Sequence, residues 1–485
     1  MNLNWRKYIL WFAQEHVDFR AAEIESIVKL FDLKFNKLCE DSLKPYWIVE
    51  LPNEETAIKL ASRSVLLRCI LELWSHSTCL PEFHKNLRQY VSQKENNTDQ
   101  YFQNDRTFKI NIETYNKHFT QKEKVEKIET FDYLPLEGQV DLKNPNVEWW
   151  NIEFYGLNPQ EVPDQPDDVF FGRLVANGQR HLIKEFSLKK RKFIGNTSMD
   201  AQLSLLMANQ AKVQPGDLVF DPFVGTGSLL VSAAKFGGFV MGADIDYMML
   251  HARARPSRIT QKVREKDESI WANLKQYGCE KLYIDVVVSD FSNPLWRDAI
   301  KFDSIITDPP YGIRESIEKI ETKTSNKQLA RNEDVPHYPS TSQYALQDLF
   351  SDLLSFAAKH LRMDGRLVCW VPFHREDYSK ELLPRSKHLE LVANSEQPLT
   401  GQTSRRLLTY QKISEPMDDS SPETELIEFR ERYFDSGIES RTERRTRRAE
   451  LREIGRQEAL KRGKVLKKDA KTHKTELNKN RRANL

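Results

Sequence analysis

The sequence predicts an α/β chain in which a Rossmann-like, doubly wound sheet domain is preceded by a mixed α+β region. Three observations predict it. Short apolar runs of β type alternate with helical segments between residues 180 and 413. Two of those runs end in the turn-forming motifs Asp221-Pro222-Phe223-Val224-Gly225-Thr226-Gly227 and Asp308-Pro309-Pro310-Tyr311, whose aspartates lie 87 residues apart. Before residue 165, strand-like and helix-like periodicities are mixed, without a comparable constellation.

A chain of 485 residues is too long for one ordinary core. In the first region, residues 8–13 read as a strand. Residues 19–31 read as a helix with Ala22, Ile24, Ile27, Val28 and Phe31 near one face. Residues 46–51 read as a second strand, and residues 55–69 as a helix with Ala57, Ile58, Ala61 and Val65 inward. Residues 66–73 fit either a continued helix or a strand, and residues 107–112 alternate as a half-buried strand does. The Pro-rich, acidic residues 159–168 read as a linker or as an irregular loop before a strand at 169–175. Short buried strands follow at 218–220, 239–242, 284–288, 304–307 and 367–371, with helices such as 228–236 and 346–361 between them. Residues 415–425 mark a break. The expected organisation is an N-terminal α+β region over 1–165, a doubly wound domain over 180–413, and a charged tail over 414–485 that grades from solvated helix into disorder.

Charge and cysteine usage narrow the function classes. The net charge is +2, but residues 441–485 hold 17 Lys/Arg against 6 Asp/Glu, so the first 440 residues sum to −9. The basic character belongs to the tail, not the body. Five scattered cysteines without C-x-x-C spacing favour a reducing compartment, the cytoplasm, over a disulfide framework or a structural zinc site. No apolar run of about 18 residues predicts a membrane span, and the start lacks a signal-peptide pattern.

In a doubly wound sheet, ligands sit beyond the carboxyl ends of the strands, where strand order reverses. Asp221 ends the first strand of this domain. Gly225 and Gly227 lie in the turn after it, where backbone freedom lets a cofactor approach closely. The turn has no Lys after Gly227, as a P-loop requires, and Leu230 stands where a dinucleotide motif needs its last glycine. Asp221 is expected to orient the loop or to meet the ammonium group of S-adenosylmethionine. Asp244, ending the second strand, is expected to accept from ribose hydroxyls, with Asp246 behind it. At the end of the third strand, Asp290 is expected to accept from the adenine amino group while Phe291 packs on the ring. Strand-end aspartates also cap following helices, but three at successive strand ends favour the cofactor site.

The second motif carries the reaction. Pro309 and Pro310 stiffen the backbone and remove two N–H donors, leaving carbonyls as acceptors. A primary amine on an aromatic base is a poor nucleophile because its lone pair is delocalised. Acceptors on both N–H bonds, from Asp308 and the Pro309 carbonyl, raise electron density on that nitrogen and aim its lone pair, while Tyr311 offers a stacking face for a flipped base. The expected chemistry is methyl transfer onto an exocyclic base nitrogen, driven mainly by positioning.

Upstream, Arg191-Lys192-Phe193-Ile194-Gly195-Asn196-Thr197-Ser198-Met199-Asp200 and Met207-Ala208-Asn209-Gln210 are similar to the segment that wraps the cofactor in tRNA guanine-N2 methyltransferases. With the two motifs above, the chain most resembles the catalytic subunits of eukaryotic enzymes that modify the guanosine at position ten of tRNA. The resemblance spans roughly residues 1–413 and is most specific in the catalytic half. It implies a THUMP RNA-binding domain in the first region that engages the tRNA acceptor end. It also implies S-adenosyl-L-methionine as donor, cofactor contacts at Thr197 and Ser198, tRNA as substrate, and a small zinc-binding activator subunit as partner. The alternatives are an enzyme acting on adenine N6 or on a glutamine amide, and a noncatalytic RNA-binding scaffold that retains the fold.

Overall fold

The computed structural model describes residues 5–38, 43–258, 261–313, 315–321 and 340–416, with Pro422, Phe429 and Tyr433 beyond them. Expectations for the basic tail fall outside these residues. The chain divides into two compact units, Met1–Ile427 and Glu428–Leu485; in the second, the rings of Phe429 and Tyr433 stand 6.0 Å apart.

The first half is built from β1 (Arg6–Phe12), α1 (Arg20–Leu30), β2 (Asn36–Lys37), β3 (Tyr46–Leu51), α2 (Glu54–Ala61), β4 (Leu67–Ser77), α3 (Leu80–Ser92), β5 (Phe108–Tyr115), α4 (Gln121–Glu129), β6 (Val147–Phe154) and β7 (Asp168–Asn177). Its seven strands form one sheet in the order β2-β3-β1-β4-β7-β6-β5, antiparallel except for β5 and β6. Because β7 pairs with both β4 and β6, the acidic stretch 159–168 is a loop inside this sheet, not a linker between bodies. The helix expected over 55–69 stops at Ala61. The buried Glu23 carboxylate accepts from the Val65 and Leu66 amides at 2.8 and 3.2 Å and from the Ser64 hydroxyl at 2.6 Å, and this turns the chain into β4. Ile58, expected inward, is 50% exposed, and Leu60 fills the core instead.

The second half continues with α5 (His181–Glu185), α6 (Ala201–Gln210), β8 (Leu218–Asp221), α7 (Ser228–Lys235), β9 (Phe239–Asp244), α8 (Tyr247–Leu250), α9 (Ile270–Gln276), β10 (Tyr283–Val288), β11 (Phe302–Thr307), β12 (Glu318–Ile320), β13 (Thr341–Gln343), α10 (Leu346–His360), β14 (Leu361–His374), β15 (Leu389–Pro398) and β16 (Thr403–Lys412). The main sheet runs β10-β9-β8-β11-β14-β16-β15. Its first five strands are parallel, and β16 is antiparallel to both of its neighbours. Strand order reverses between β8 and β11, which sets the switch point where the aspartates of the two motifs meet. The sequence reads residues 284–288 as one of the short buried strands. That strand is instead the sheet edge, with Ile284 49% and Val288 42% exposed.

One apolar core joins the two halves. It runs from Tyr8, Leu10 and Phe12 through Ile24 and Ile27 of α1 to Leu203 and Leu206 of α6 and on to Leu230 and Val231 of α7. Polar groups stitch the same junction. Asn209 donates to Glu23 at 2.8 Å, Arg63 reaches Asn209 at 3.1 Å and the Val213 carbonyl at 2.8 Å, and Arg366 reaches Ser26 at 2.9 Å and the Gln210 carbonyl at 2.7 Å. Breaking one partner of such a buried charged network costs several kcal/mol, on the order of 3–5.

Candidate active site

The glycine loop after β8 takes the left-handed backbone where the sequence placed glycine. Gly225 and Gly227 have φ of 49° and 75°. A side chain at Gly227 would collide with Ile270 at 2.7 Å, whereas one at Gly225 would meet no atom within 4 Å. Space therefore opens over Gly225. The Asp221 carboxylate, at the strand end below, is almost wholly buried. Its Oδ1 accepts from the Phe223 amide at 3.1 Å and from the Thr307 hydroxyl at 2.7 Å. Burial pushes its carboxyl up to about 8, with those two donors opposing.

Asp244 ends β9 and accepts from the Gly225 amide at 2.8 Å and the Asp246 amide at 2.9 Å. Burial raises its carboxyl to about 6. A carboxylate offers about four acceptor positions, so both bonds leave room for ribose hydroxyls. Asp246 caps α8 by accepting from the Met249 amide at 2.9 Å. Asp290 accepts from the Ser292 amide at 2.9 Å and the Ile320 amide at 2.7 Å, tying the third strand end to β12. Phe291 is buried between Phe223 and Phe356, with ring centroids at 5.0 and 5.4 Å.

The segment before α6 lies against both motifs. The Ser198 hydroxyl bonds the Thr226 hydroxyl at 2.6 Å and accepts from the Gly195 amide at 2.8 Å, which places it beside the glycine loop. Thr197 donates to Glu315, just after the reaction motif. Asp200 caps α6, accepting from the Gln202 amide at 2.8 Å.

Asp308 follows β11 directly, Pro309 is buried, and Pro310 and Tyr311 are half-buried. The Tyr311 hydroxyl donates to Asp308 Oδ1, and Arg405 Nη1 reaches Asp308 Oδ2 at 3.1 Å and the Tyr311 hydroxyl at 3.4 Å. Burial pushes the Asp308 carboxyl up, while Arg405 and the Tyr311 hydroxyl pull it back. Burial also drives Tyr311 well above the ordinary phenol range. Three participants were missed at the sequence level. Thr307, a polar residue closing an apolar run, left a faint signal. Glu315 and Arg405 left none, since Arg405 sits 97 positions from the carboxylate it binds, in a strand with two adjacent arginines.

The space over Gly225 and the Asp244 and Asp290 carboxylates fit an adenosyl cofactor with a ribose diol, while the buried Asp221, bonded to the Phe223 amide and the Thr307 hydroxyl, orients the loop. Among the described residues, no group of three His, Cys, Asp or Glu side chains is arranged to hold a metal ion, and no helix is long and apolar enough to cross a membrane.

A switch point with open backbone at Gly225 beyond one strand end and an Asp-Pro-Pro-Tyr acceptor set beyond the next defines an amino-methyltransferase class. Comparison with known proteins agrees. Residues 6–180 match the family description Tmrp11 THUMP N-terminal domain, and residues 189–332 match RMKL-like, methyltransferase domain. The chain is 47% identical to tRNA (guanine(10)-N(2))-methyltransferase TRMT11 of Xenopus laevis, over 91% of this chain and 94% of that protein. It is 46% identical to the Homo sapiens protein of the same name, over 90% of this chain and 96% of that one. It is 36% identical to tRNA (guanine(10)-N(2))-methyltransferase of Saccharomyces cerevisiae, over 89% of this chain and 99% of that protein. The chain belongs to the tRNA (guanine(10)-N2)-methyltransferase family, and its methyl donor is S-adenosyl-L-methionine.

Proposed function

We propose that this chain transfers a methyl group from S-adenosyl-L-methionine to the exocyclic N2 of the guanosine at position ten of tRNA. In this reading it is the catalytic subunit of a heterodimer with a small zinc-binding activator and works in the cytoplasm. The observation that carries the reading is the switch point itself. Asp221 and Asp308 sit on the two strand ends either side of the reversal and are linked through Thr307.

When bound, the cofactor supplies an electrophilic sulfonium methyl. Asp244 would hold the ribose hydroxyls, Asp290 the adenine amino group, and the Gly225 turn would let the cofactor sit against backbone. Asp308 and the Pro309 carbonyl would accept the two N–H bonds of the guanine amine, and Tyr311 would stack on the flipped base. As the N–C bond formed and the methyl–sulfonium bond broke, with S-adenosylhomocysteine leaving, Asp308 would stabilise the growing positive charge on nitrogen, and the departing proton would pass to Asp308 or to water.

The acidic body reaches RNA through a local cationic platform. Residues 187–192 and 251–268 together hold 10 Lys/Arg against 3 Asp/Glu. Arg258 donates to the Arg191 and Lys192 carbonyls, and Arg264 to the Ala254 carbonyl at 2.6 Å and the Ile194 carbonyl at 3.4 Å. These bonds fasten the platform beside Ser198 and the cofactor loop, with Lys189, Lys190, Arg253 and Arg255 exposed for phosphates.

The activator subunit is proposed to cover the β10 edge. An edge strand presents unpaired backbone groups, and here Ile284 and Val288 of β10 add exposed apolar surface. The free cysteines Cys69, Cys79, Cys279 and Cys369 support a reducing compartment.

The deciding experiment is transfer of labelled methyl from S-adenosyl-L-methionine to unmodified tRNA, with and without the activator, followed by nucleoside digestion. N2-methylguanosine formed only with the activator supports both chemistry and heterodimer. N6-methyladenosine would keep the site and overturn the acceptor. No transfer by folded proteins in either condition would leave a scaffold.

A further inference from the structure

We propose that Arg405 is a positioning residue of the methyl-transfer site, clamping the Asp308 carboxylate in the orientation that receives the N–H groups of the target amine. The inference rests on the role given to Asp308 above and extends it to a residue two strands away from the reaction motif.

Arg405 lies on β16 and reaches across β14 to the loop after β11. Its head is held on every side. Nη1 binds Asp308 Oδ2 at 3.1 Å, Nε donates to Gln397 Oε1 of β15 at 2.7 Å, and Nη2 points at the Met199 sulfur at 3.5 Å. The guanidinium also rests over the Trp370 ring of β14, 4.0 Å from its centroid. A side chain with this many restraints has one position, and it transmits that position to the carboxylate. Met199 belongs to the segment that touches both the glycine loop and the reaction loop, so the clamp ties Asp308 to the cofactor side of the site.

The geometry leaves the carboxylate usable. Tyr311 occupies one acceptor position on Oδ1 and Arg405 one on Oδ2, and a carboxylate has about four. About two remain for incoming N–H donors. Ionisation is the second requirement, because a protonated carboxyl turns one acceptor into a donor. Burial drives Asp308 towards the protonated form, and Arg405 is the principal group opposing it. The other titratable groups around the pair are Tyr311 on the same loop, Asp221 at the end of β8 and Cys369 on β14, with His16 beside Arg405 and Asp200 beyond His16. Among the groups acting on Asp308, Arg405 is the cation. A lysine would keep the charge but lose the planar fork that serves Asp308, Gln397 and Met199 together.

The test compares Arg405→Met, Arg405→Lys and Asp308→Ala with the wild type in the active assembly on unmodified tRNA. It measures kcat and KM from about pH 5.5 to 9 and the affinity for S-adenosylhomocysteine. Arg405→Met is expected to move the acid limb of kcat upward by about one unit or more, giving about a tenfold deficit on that limb that shrinks as pH rises. The affinity for S-adenosylhomocysteine should stay within about threefold, a change of well under 1 kcal/mol. Arg405→Lys is expected to lower kcat several-fold with the KM for tRNA unchanged. An Arg405→Met enzyme with the wild-type acid limb, or with a deficit equal at every pH, overturns the inference. If Arg405→Met fails to bind S-adenosylhomocysteine, the decision falls to Arg405→Lys, where a wild-type kcat overturns it. Asp308→Ala separates the two levels of the argument. Its inactivity beside an unaltered Arg405→Met removes only the clamp, whereas full activity of Asp308→Ala removes the reading of the site on which the clamp rests.

Discussion

The Thr307 hydroxyl donates to Oδ1 of Asp221 across 2.7 Å, joining the last residue of β11 to the last residue of β8. Cofactor and reaction motifs are therefore braced at the point where strand order reverses, one residue upstream of Asp308. The brace also satisfies a carboxyl that burial has raised to about 8. A carboxyl raised on folding contributes stability that is full below its unfolded value near 3.8 and is lost as pH rises through about 8. Asp221→Asn can keep an acceptor for Thr307 without the charge. Its stability relative to wild type should grow between pH 5 and 8, by about 1–3 kcal/mol. Denaturant unfolding at both pH values checks this, and a constant difference contradicts it.

Asp244 is placed to hold ribose hydroxyls while fixing the Gly225 amide. Asp244→Ala is expected to weaken S-adenosyl-L-methionine binding by roughly 1–3 kcal/mol through loss of charge-assisted hydrogen bonds. Calorimetric titration reads this directly, and wild-type affinity would place the ribose carboxylate elsewhere.

Asp308 lies on the reaction side of the switch point, and its bonds to Tyr311 and Arg405 involve no residue of the glycine loop. Asp308→Ala should therefore retain cofactor affinity and lose most turnover, roughly 100-fold or more for a group that both positions the amine and steadies charge on it. Single-turnover transfer with saturating cofactor distinguishes this from a binding defect.

The cationic platform should act on affinity without touching chemistry. Reversing Lys189, Arg253 and Arg255 to glutamate is expected to weaken tRNA binding. The dependence of log affinity on log salt should become shallower by about one unit for each phosphate that is no longer neutralised. The rate at saturating tRNA should persist, and an unchanged salt slope would show that RNA is held elsewhere.

The β10 edge gives a test of assembly. Ile284→Lys with Val288→Lys places charge on exposed apolar positions and leaves the core packing intact. Cofactor affinity of the isolated chain should be preserved while co-purification with the activator disappears, and retained co-purification would move the interface off this edge.

Different parts of the molecule were legible in the sequence to different degrees. The glycine turn and the strand-end aspartates lie close in sequence to the features that define them, so Gly225, Gly227, Asp244 and Asp308 can be read from local pattern. The helix end at Ala61 was not readable that way. It is set by Glu23, about 40 residues upstream, whose carboxylate accepts the Val65 and Leu66 amides. The exposure of Ile284 and Val288 was hidden for a related reason, because an apolar β-branched run looks the same in the middle of a sheet and at its edge. Arg405 depends on the antiparallel insertion of β16 beside β14, a matter of sheet order that no local pattern encodes.

The stitching of the two halves by Glu23, Arg63, Asn209 and Arg366 has a consequence for substrate choice. A hinge there would expose a continuous apolar core and strand a buried carboxylate, so the junction cannot swing at modest cost. The two halves of the first unit are thus expected to hold a fixed span, as a caliper does. An RNA that touched the N-terminal sheet as well as the cationic platform would present to Asp308 only nucleotides at one set distance, and the choice of nucleotide would then be a measurement of length as much as a reading of bases.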